Sequence, residues 1–243
     1  TIRGNRIVKC CSRWPDKGAI TVMADSKNPE GQCIKNIIIE DVELLNSQYW
    51  NCFLHGCDYV KIRSLRIEND FRTHNGDAID VDCCRFVTIS DCMIRSADDC
   101  ITLRGNEAPL GGSRPCEYVT VNNCILSTRC NAFRIGVGNG LVRRCTLSNI
   151  IIRDTRTAIC LVSQYSAASA GVQIEDIMFN NIYMDCVRFF NIATTPRGIR
   201  EEEAKVIRRI SFNHLRGSAN TGSVIQDWKP IPPQRLCGGF EFQ

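Results

Sequence analysis

Residues Val87–Ile94 read VTISDCMI: apolar and polar positions alternate, Asp91 interrupts, and apolar positions resume. Alternation with period two is the signature of a strand, and the polar interruption marks a bend. The same pattern recurs as IIIEDVEL from Ile37, VKIRSLRI from Val60 and VTVNNCIL from Val119. Looser copies are CTLSNIII from Cys145, IMFNNIYM from Ile177 and ISFNHLRG from Ile210. Successive copies start 23, 27, 32, 26, 32 and 33 residues apart. One such unit cannot bury its apolar side alone, so units of this length stack as coils around a continuous core. The expected fold class is all-β, a right-handed single-stranded parallel β-helix. A β-sandwich would instead place strands every ~8–12 residues, with more Gly and Pro turns.

Working outward, the repeat predicts ladders. Cys92 and Cys124 fall in one inward column, and Asp91, Asn123 and Asn149 share the bend, where Asn and Asp accept turn dihedrals. One domain is expected over 1–243, with clear repeats at about 34–217 and an extended tail at 218–243 along the coil surface. Helical periodicity is confined to IREEEAKVIRR, Ile199–Arg209. The variable stretches Gly105–Pro115 and Ser163–Ala170 are expected to stand out from one edge and wall a groove.

Composition sets the outer limits. The chain has 243 residues, 44% hydrophobic and 23% charged, which excludes a disordered chain. No apolar run approaches the ~18 residues of a membrane span. A net charge of +4, evenly spread, lacks the basic stripe of a nucleic-acid binder. The expected partner is a polysaccharide or oligosaccharide substrate, with no nucleic acid and no membrane; oligomeric state is not predicted. The chain starts at Thr1 without Met or a signal-like segment, which reads as a processed chain or a fragment. The 16 cysteines show no CxxC spacing and fall at repeated positions, so buried free thiols are favoured over a disulfide framework.

The segments just before each repeat align as NGDAIDVD (Asn75–Asp82), ADDCITLR (Ala97–Arg104) and CNAFRIGV (Cys130–Val137). Ile79, Ile101 and Phe133 then point inward, as do Val81, Leu103 and Ile135. Asp77, Asp99 and Asn131 stack in one outward column, with Asp98 beside Asp99; Asp80, Thr102 and Arg134 stack in the next. Rungs lie ~4.8 Å apart, so Asp77, Asp98 and Asp99 form one cluster. Crowded carboxylates cannot all ionise freely, which suits a protonated acid working beside an ionised base. The same oxygens would also suit Ca²⁺. Turn-capping is the plainer reading for Asp82 and Asp91.

Trp50 falls one rung before Asp77, placed to stack on a sugar face or to cover the core. His74 and Asn75, at the head of the acidic motif, are further candidates to line a substrate groove. His55, His74 and His214 are scattered and define no metal set, so neither metal nor cofactor is predicted. Gly136–Gly140 is glycine-rich but follows a strand without opening a helix, which argues against a phosphate loop.

NGDAID and ADDC, with Asp98 placed 21 positions after Asp77, resemble the NTDGID and (G/Q)DDC motifs of the polygalacturonases, the pectin-cleaving glycoside hydrolases of family 28. WNCFLHGCDYVKI (Trp50–Ile62) and the later strand repeats are similar too, so the resemblance covers most of Ile34–Leu215. It implies a right-handed β-helix that hydrolyses with inversion, Asp98 protonating the leaving oxygen and Asp77 with Asp99 orienting and deprotonating water. Adjacent rungs alone would suggest the shorter carboxyl spacing of retaining enzymes; the resemblance implies inversion, and that is the expectation adopted. Two departures stand out. Where the family has Gly-His-Gly, this chain has Cys130-Asn131-Ala132, and the family's Arg-Ile-Lys falls near the uncharged Ile159-Cys160-Leu161. The usual grip on a uronate is therefore missing, and Arg134 is the candidate to replace it unless it pairs with Asp80.

The leading expectation is thus a glycosidase acting on a pectin-related or other polysaccharide. A β-helix lyase would need a base for the C5 proton, and a non-catalytic carbohydrate-binding solenoid would fit the lost positions but not the acidic cluster. The resemblance implies a secreted or periplasmic protein, whereas abundant unpaired thiols would suit a reducing interior.

Overall fold

A computed structural model describes residues 1–4, 6–8, 19–24, 33–164, 171–194, 205–226 and 240–242. Every strand pairing in it is parallel, and each strand pairs with its counterpart one coil away. Strands therefore stack in three columns around one axis, the right-handed parallel β-helix expected from the repeat. The first column includes Cys57–Arg63, Arg85–Ser90 and the start of Cys116–Thr128. The second includes Arg66–Glu68 and Met93–Ser96. The third holds Cys52–His55, Ile79–Asp82, Ile101–Gly105 and Asn131–Gly138.

The core follows from the alternation. Ile39, Ile62, Ile89, Val121, Leu147, Phe179 and Phe212 pair in strict succession, each one coil after the last. All seven are buried, forming one continuous apolar ladder. Cys92 and Cys124 are likewise buried, on successive coils. The thirteen cysteines among the described residues are free thiols within strands or at their edges, eleven of them buried as small apolar fillers.

The bend column is left-handed throughout: Asp41, Ser64, Asp91, Asn123, Asn149, Asn181 and His214 have φ between 52° and 58°. Amide groups link it along the axis, with Asn123 Nδ2 donating to Asp91 Oδ1 at 2.6 Å and Asn181 Nδ2 to Asn149 Oδ1 at 2.7 Å. A second left-handed column, not anticipated from the sequence, carries Tyr59, Phe86 and Tyr118 at φ of 55–57°. Bulky residues rarely adopt this conformation. Here the three rings stack at 5.0 and 5.1 Å, contacts that offset the strain. Beside it runs a ladder of alternating charge, Asp58, Arg85, Glu117, Arg143, Glu175 and Arg208. Its ion pairs are 2.7–2.9 Å long (Arg85–Asp58, Arg143–Glu117, Arg208–Glu175).

Three expectations need revision. Beyond residue 217 the chain adds strands at Val224–Gln226 and Phe240–Phe242, which extend the sheet in parallel register rather than lying along it as a tail. The end of the helical-looking stretch, Ile207–Arg209, belongs to the strand Ile207–Ala219; its start lies outside the described residues. Gly105–Pro115 does not wall the acidic cleft but folds over the far end of the third column, with a single 3₁₀ turn at Ala108–Leu110. Ser163 and Gln164 continue from their strand, and 165–170 lie outside the described residues. Among the described residues no helix is long and apolar enough to cross a membrane.

Candidate active site

The third column builds the acidic cluster. Ile101 pairs with Ile79 on one side and Phe133 on the other, which aligns Asp77, Asp99 and Asn131 two residues earlier. Thr102 pairs with both Asp80 and Arg134. The inward side chains of these strands are buried, so the alternate residues are directed into a cleft of about 410 Å³. Trp50, Asn75, Asp77, Asp98, Asp99, Asn131 and Arg134 all line it. His74 is exposed and does not.

Asp77 and Asp99 are 6% and 9% exposed, while Asp98 is more open. Burial, then the negative charges of Asp80, Asp99 and Asp98, push the Asp77 carboxyl well above the usual carboxylate range. Burial and then Asp98 raise Asp99 as well, against the opposing pull of Arg134 and Asn131. Asn131 delivers that pull directly: its Nδ2 and backbone N–H donate to Asp99 Oδ1 at 2.6 and 3.2 Å. The backbone carbonyl of Asp98 accepts from Ser96 Oγ at 2.7 Å and also from Thr128 Oγ1, which fixes the turn that presents its side chain.

Arg134 is buried and donates to the carbonyls of Ile135 and Val162 at 3.2 and 3.5 Å. Asp80 has a different partner, Arg104, at 3.1 Å. Arg104 went unnoticed in the sequence. It sits in register with Asp82 at the end of its strand and lays its guanidinium over the Trp50 ring, 4.7 Å from the centroid. With one face so covered and only 6% of its surface exposed, Trp50 offers a substrate little more than an edge.

A second residue missed from sequence is Arg156. Asn131 pairs with Thr157, so Arg156 follows Cys130 by one rung, and its Nη2 donates to Cys130 Sγ at 3.1 Å. It borders both the acidic cleft and an adjoining hollow of about 550 Å³ that Arg129 also lines. Both arginines are exposed, and among the described residues neither forms an ion pair, in contrast to the arginines of the charge ladder. The signal for Arg156 lay in extending the rung alignment by one more coil.

Among the described residues, two groups of side chains have the donor types to hold a metal ion. Asp98, Asp99 and Cys130 converge in the cleft, but Asn131 occupies Asp99 Oδ1 and Arg156 occupies the thiol. His55, Asp82 and Cys83 converge at the far end of the same strands, buried. The histidines, scattered in sequence, thus contribute one member to a compact cluster after all.

Among solved structures, an exopolygalacturonase from Thermotoga maritima superposes with a TM-score of 0.63 at 16% identity, over 78% of this chain and 49% of that one. A polygalacturonase from Erwinia carotovora gives 0.55 at 15% identity, over 80% and 57%. These similarities establish the right-handed β-helix. By sequence, a protein named probable polygalacturonase of Arabidopsis thaliana is 25% identical over 60% of this chain and 39% of its own. A polygalacturonase of Chamaecyparis obtusa is 26% identical over 67% and 38%. The chain thus spans roughly two fifths of the length of these relatives. The model of glycosyl hydrolases family 28 matches residues 4–185, three quarters of the sequence and all three of the acidic cluster's aspartates, and the chain belongs to that family.

Proposed function

We propose that this protein hydrolyses glycosidic bonds of a pectin-type acidic polysaccharide with inversion at the anomeric carbon. The observation that carries the reading is the convergence of Asp77, Asp98 and Asp99 on one cleft. Asp98, the most exposed of the three, is the general acid: it gives its proton to the glycosidic oxygen as the bond to the anomeric carbon breaks. Asp77 and Asp99 hold the attacking water from the opposite side and accept its proton. Burial and neighbouring carboxylates raise both groups, which favours holding a proton at this pair beside an ionised base. Asn131 favours Asp99 as the ionised member.

The substrate class rests on Arg156 and Arg129. The positions where the family carries Arg and Lys are apolar here, yet two guanidiniums that form no ion pair among the described residues stand close by, Arg156 on the same strand and Arg129 one rung earlier, at the cleft and the hollow beside it. A guanidinium fork matches a uronate carboxylate in shape and charge. The polygalacturonases among the relatives agree with that chemistry.

The test is reducing-end release from polygalacturonate, rhamnogalacturonan and neutral glycans, with Asp98→Asn alongside. Turnover on a uronate-containing chain that disappears in the variant supports the proposal. Unsaturated, ultraviolet-absorbing ends would identify a lyase, and binding without turnover in both proteins would identify a carbohydrate-binding solenoid; either overturns it.

A further inference from the structure

His55 and Asp82 are partners on adjacent rungs, at the end of the third column away from the acids. Their positions alternate with core residues and would face solvent on a bare coil. Both are nonetheless 1% exposed or less, because the Gly105–Pro115 segment lies over them. Asn106 makes the join. Its carbonyl lies 3.0 Å from His55 Nε2, and its N–H donates to Asp82 Oδ1 at 2.8 Å.

These two bonds leave the other atom of each side chain facing inward. A carbonyl only accepts, so Nε2 carries the proton and Nδ1 carries the lone pair. His55 Nδ1 is fully buried without a hydrogen-bond partner, while the equally buried Asp82 carboxylate also meets Arg104 Nε, 3.4 Å from its Oδ2, and the Cys83 side chain. Buried polar atoms are rarely left bare as Nδ1 is. A histidine that donates one ring N–H to a backbone carbonyl while its other nitrogen stays bare is the arrangement of a metal ligand. Cys83, completely buried, completes the group: one donor atom from each of His55, Asp82 and Cys83 lies within 4.8 Å of the others.

We propose that His55, Asp82 and Cys83 form a binding site for a zinc-class divalent transition-metal ion beneath the 105–115 segment. A mixed nitrogen, oxygen and sulfur set suits zinc and excludes the hard cations calcium and magnesium. Arg104, whose Nε is 3.4 Å from Asp82 Oδ2, also contacts Asp80. Binding releases the thiol proton to solvent. The proposal uses none of the cleft's acids and stands apart from the reading of their function.

The test uses the full chain, exchanged with ZnCl₂ or CoCl₂ and freed of excess metal by gel filtration. Elemental analysis is expected to find about one zinc per chain. The cobalt form should show a near-ultraviolet thiolate-to-metal band with visible bands of tetrahedral intensity. Both signals should vanish in Cys83→Ser and His55→Gln and persist in Asp98→Asn. Substoichiometric zinc, a cobalt form without a thiolate band, or metal retained by both site variants would overturn the proposal. Should a variant fail to fold by circular dichroism, the cobalt spectrum of the unaltered chain decides alone.

Discussion

Asn131 reaches across one rung to Asp99, donating from Nδ2 at 2.6 Å to the oxygen that already accepts its backbone N–H at 3.2 Å. Both bonds favour the ionised carboxylate, opposing the burial and the Asp98 charge that raise it. The family's histidine is absent here, and an amide provides the counterweight. Asn131→Ala should let the Asp99 pKa rise further. The acidic limb of the kcat/KM profile then moves to higher pH, and activity on that limb falls about 10- to 100-fold, the worth of one hydrogen bond to a charged group. An acidic limb that stays in place in the variant would show that Asn131 does not tune the base.

In the proposed mechanism Asp98 acts only through its proton. Asp98→Asn keeps its shape and the carbonyl contacts to Ser96 and Thr128. The variant should fold as the parent does and lose about 10²–10⁴-fold in kcat, with KM little changed. Substrates with an activated phenolate leaving group should recover much of the loss, because they need no protonation. Equal losses on activated and natural substrates would remove Asp98 from the acid's role.

Among the described residues Arg156 and Arg129 form no ion pair, and they line the cleft and the hollow beside it. Arg156→Ala should raise KM for uronate chains about 10- to 100-fold, the size of a charge-assisted hydrogen bond. Methyl-esterified chains, which lack the charge, should discriminate far less between the two proteins. A variant with the same KM on both polymers as the parent would move the uronate contact elsewhere.

How much of this was readable in advance depends on what each residue's pattern encodes. Period-two alternation about Asp91, Asn123 and Asn149 reports bends and inward ladders directly, so the coil register, and with it the Asp77–Asp99–Asn131 column, followed from counting. The Tyr59–Phe86–Tyr118 bend was opaque because aromatic rings do not announce left-handed backbone; only stacking across coils makes it tolerable. His55 looked isolated for a related reason. Its neighbours Asp82 and Asn106 are 27 and 51 residues away, one brought by register and the other by a loop whose path no periodicity describes. Arg134 was open between a substrate contact and a pair with Asp80; Arg104, one coil nearer, takes the place at Asp80.

Asp77 offers a prediction about stability in which function and folding oppose each other. Its carboxyl is buried, one oxygen lacks a hydrogen-bond partner, and burial with three nearby carboxylates raises its pKa well above the ordinary range. In the unfolded chain the same group titrates normally, near 4. Between the two values the folded chain keeps a proton that the unfolded chain has released. The stability this proton provides is complete below the unfolded pKa and is lost as pH rises through the folded one. Asparagine stays neutral throughout and escapes that loss. Asp77→Asn should therefore be inactive yet more stable at pH 7.5, by about 0.5–2 kcal/mol, the usual gain when a functional site is relieved of strain. Urea midpoints measured at pH 7.5 and pH 4 should show the advantage shrinking at the lower pH. An advantage equal at both, or a parent chain more stable at pH 7.5, would mean that the buried charge is not what Asp77 costs the fold.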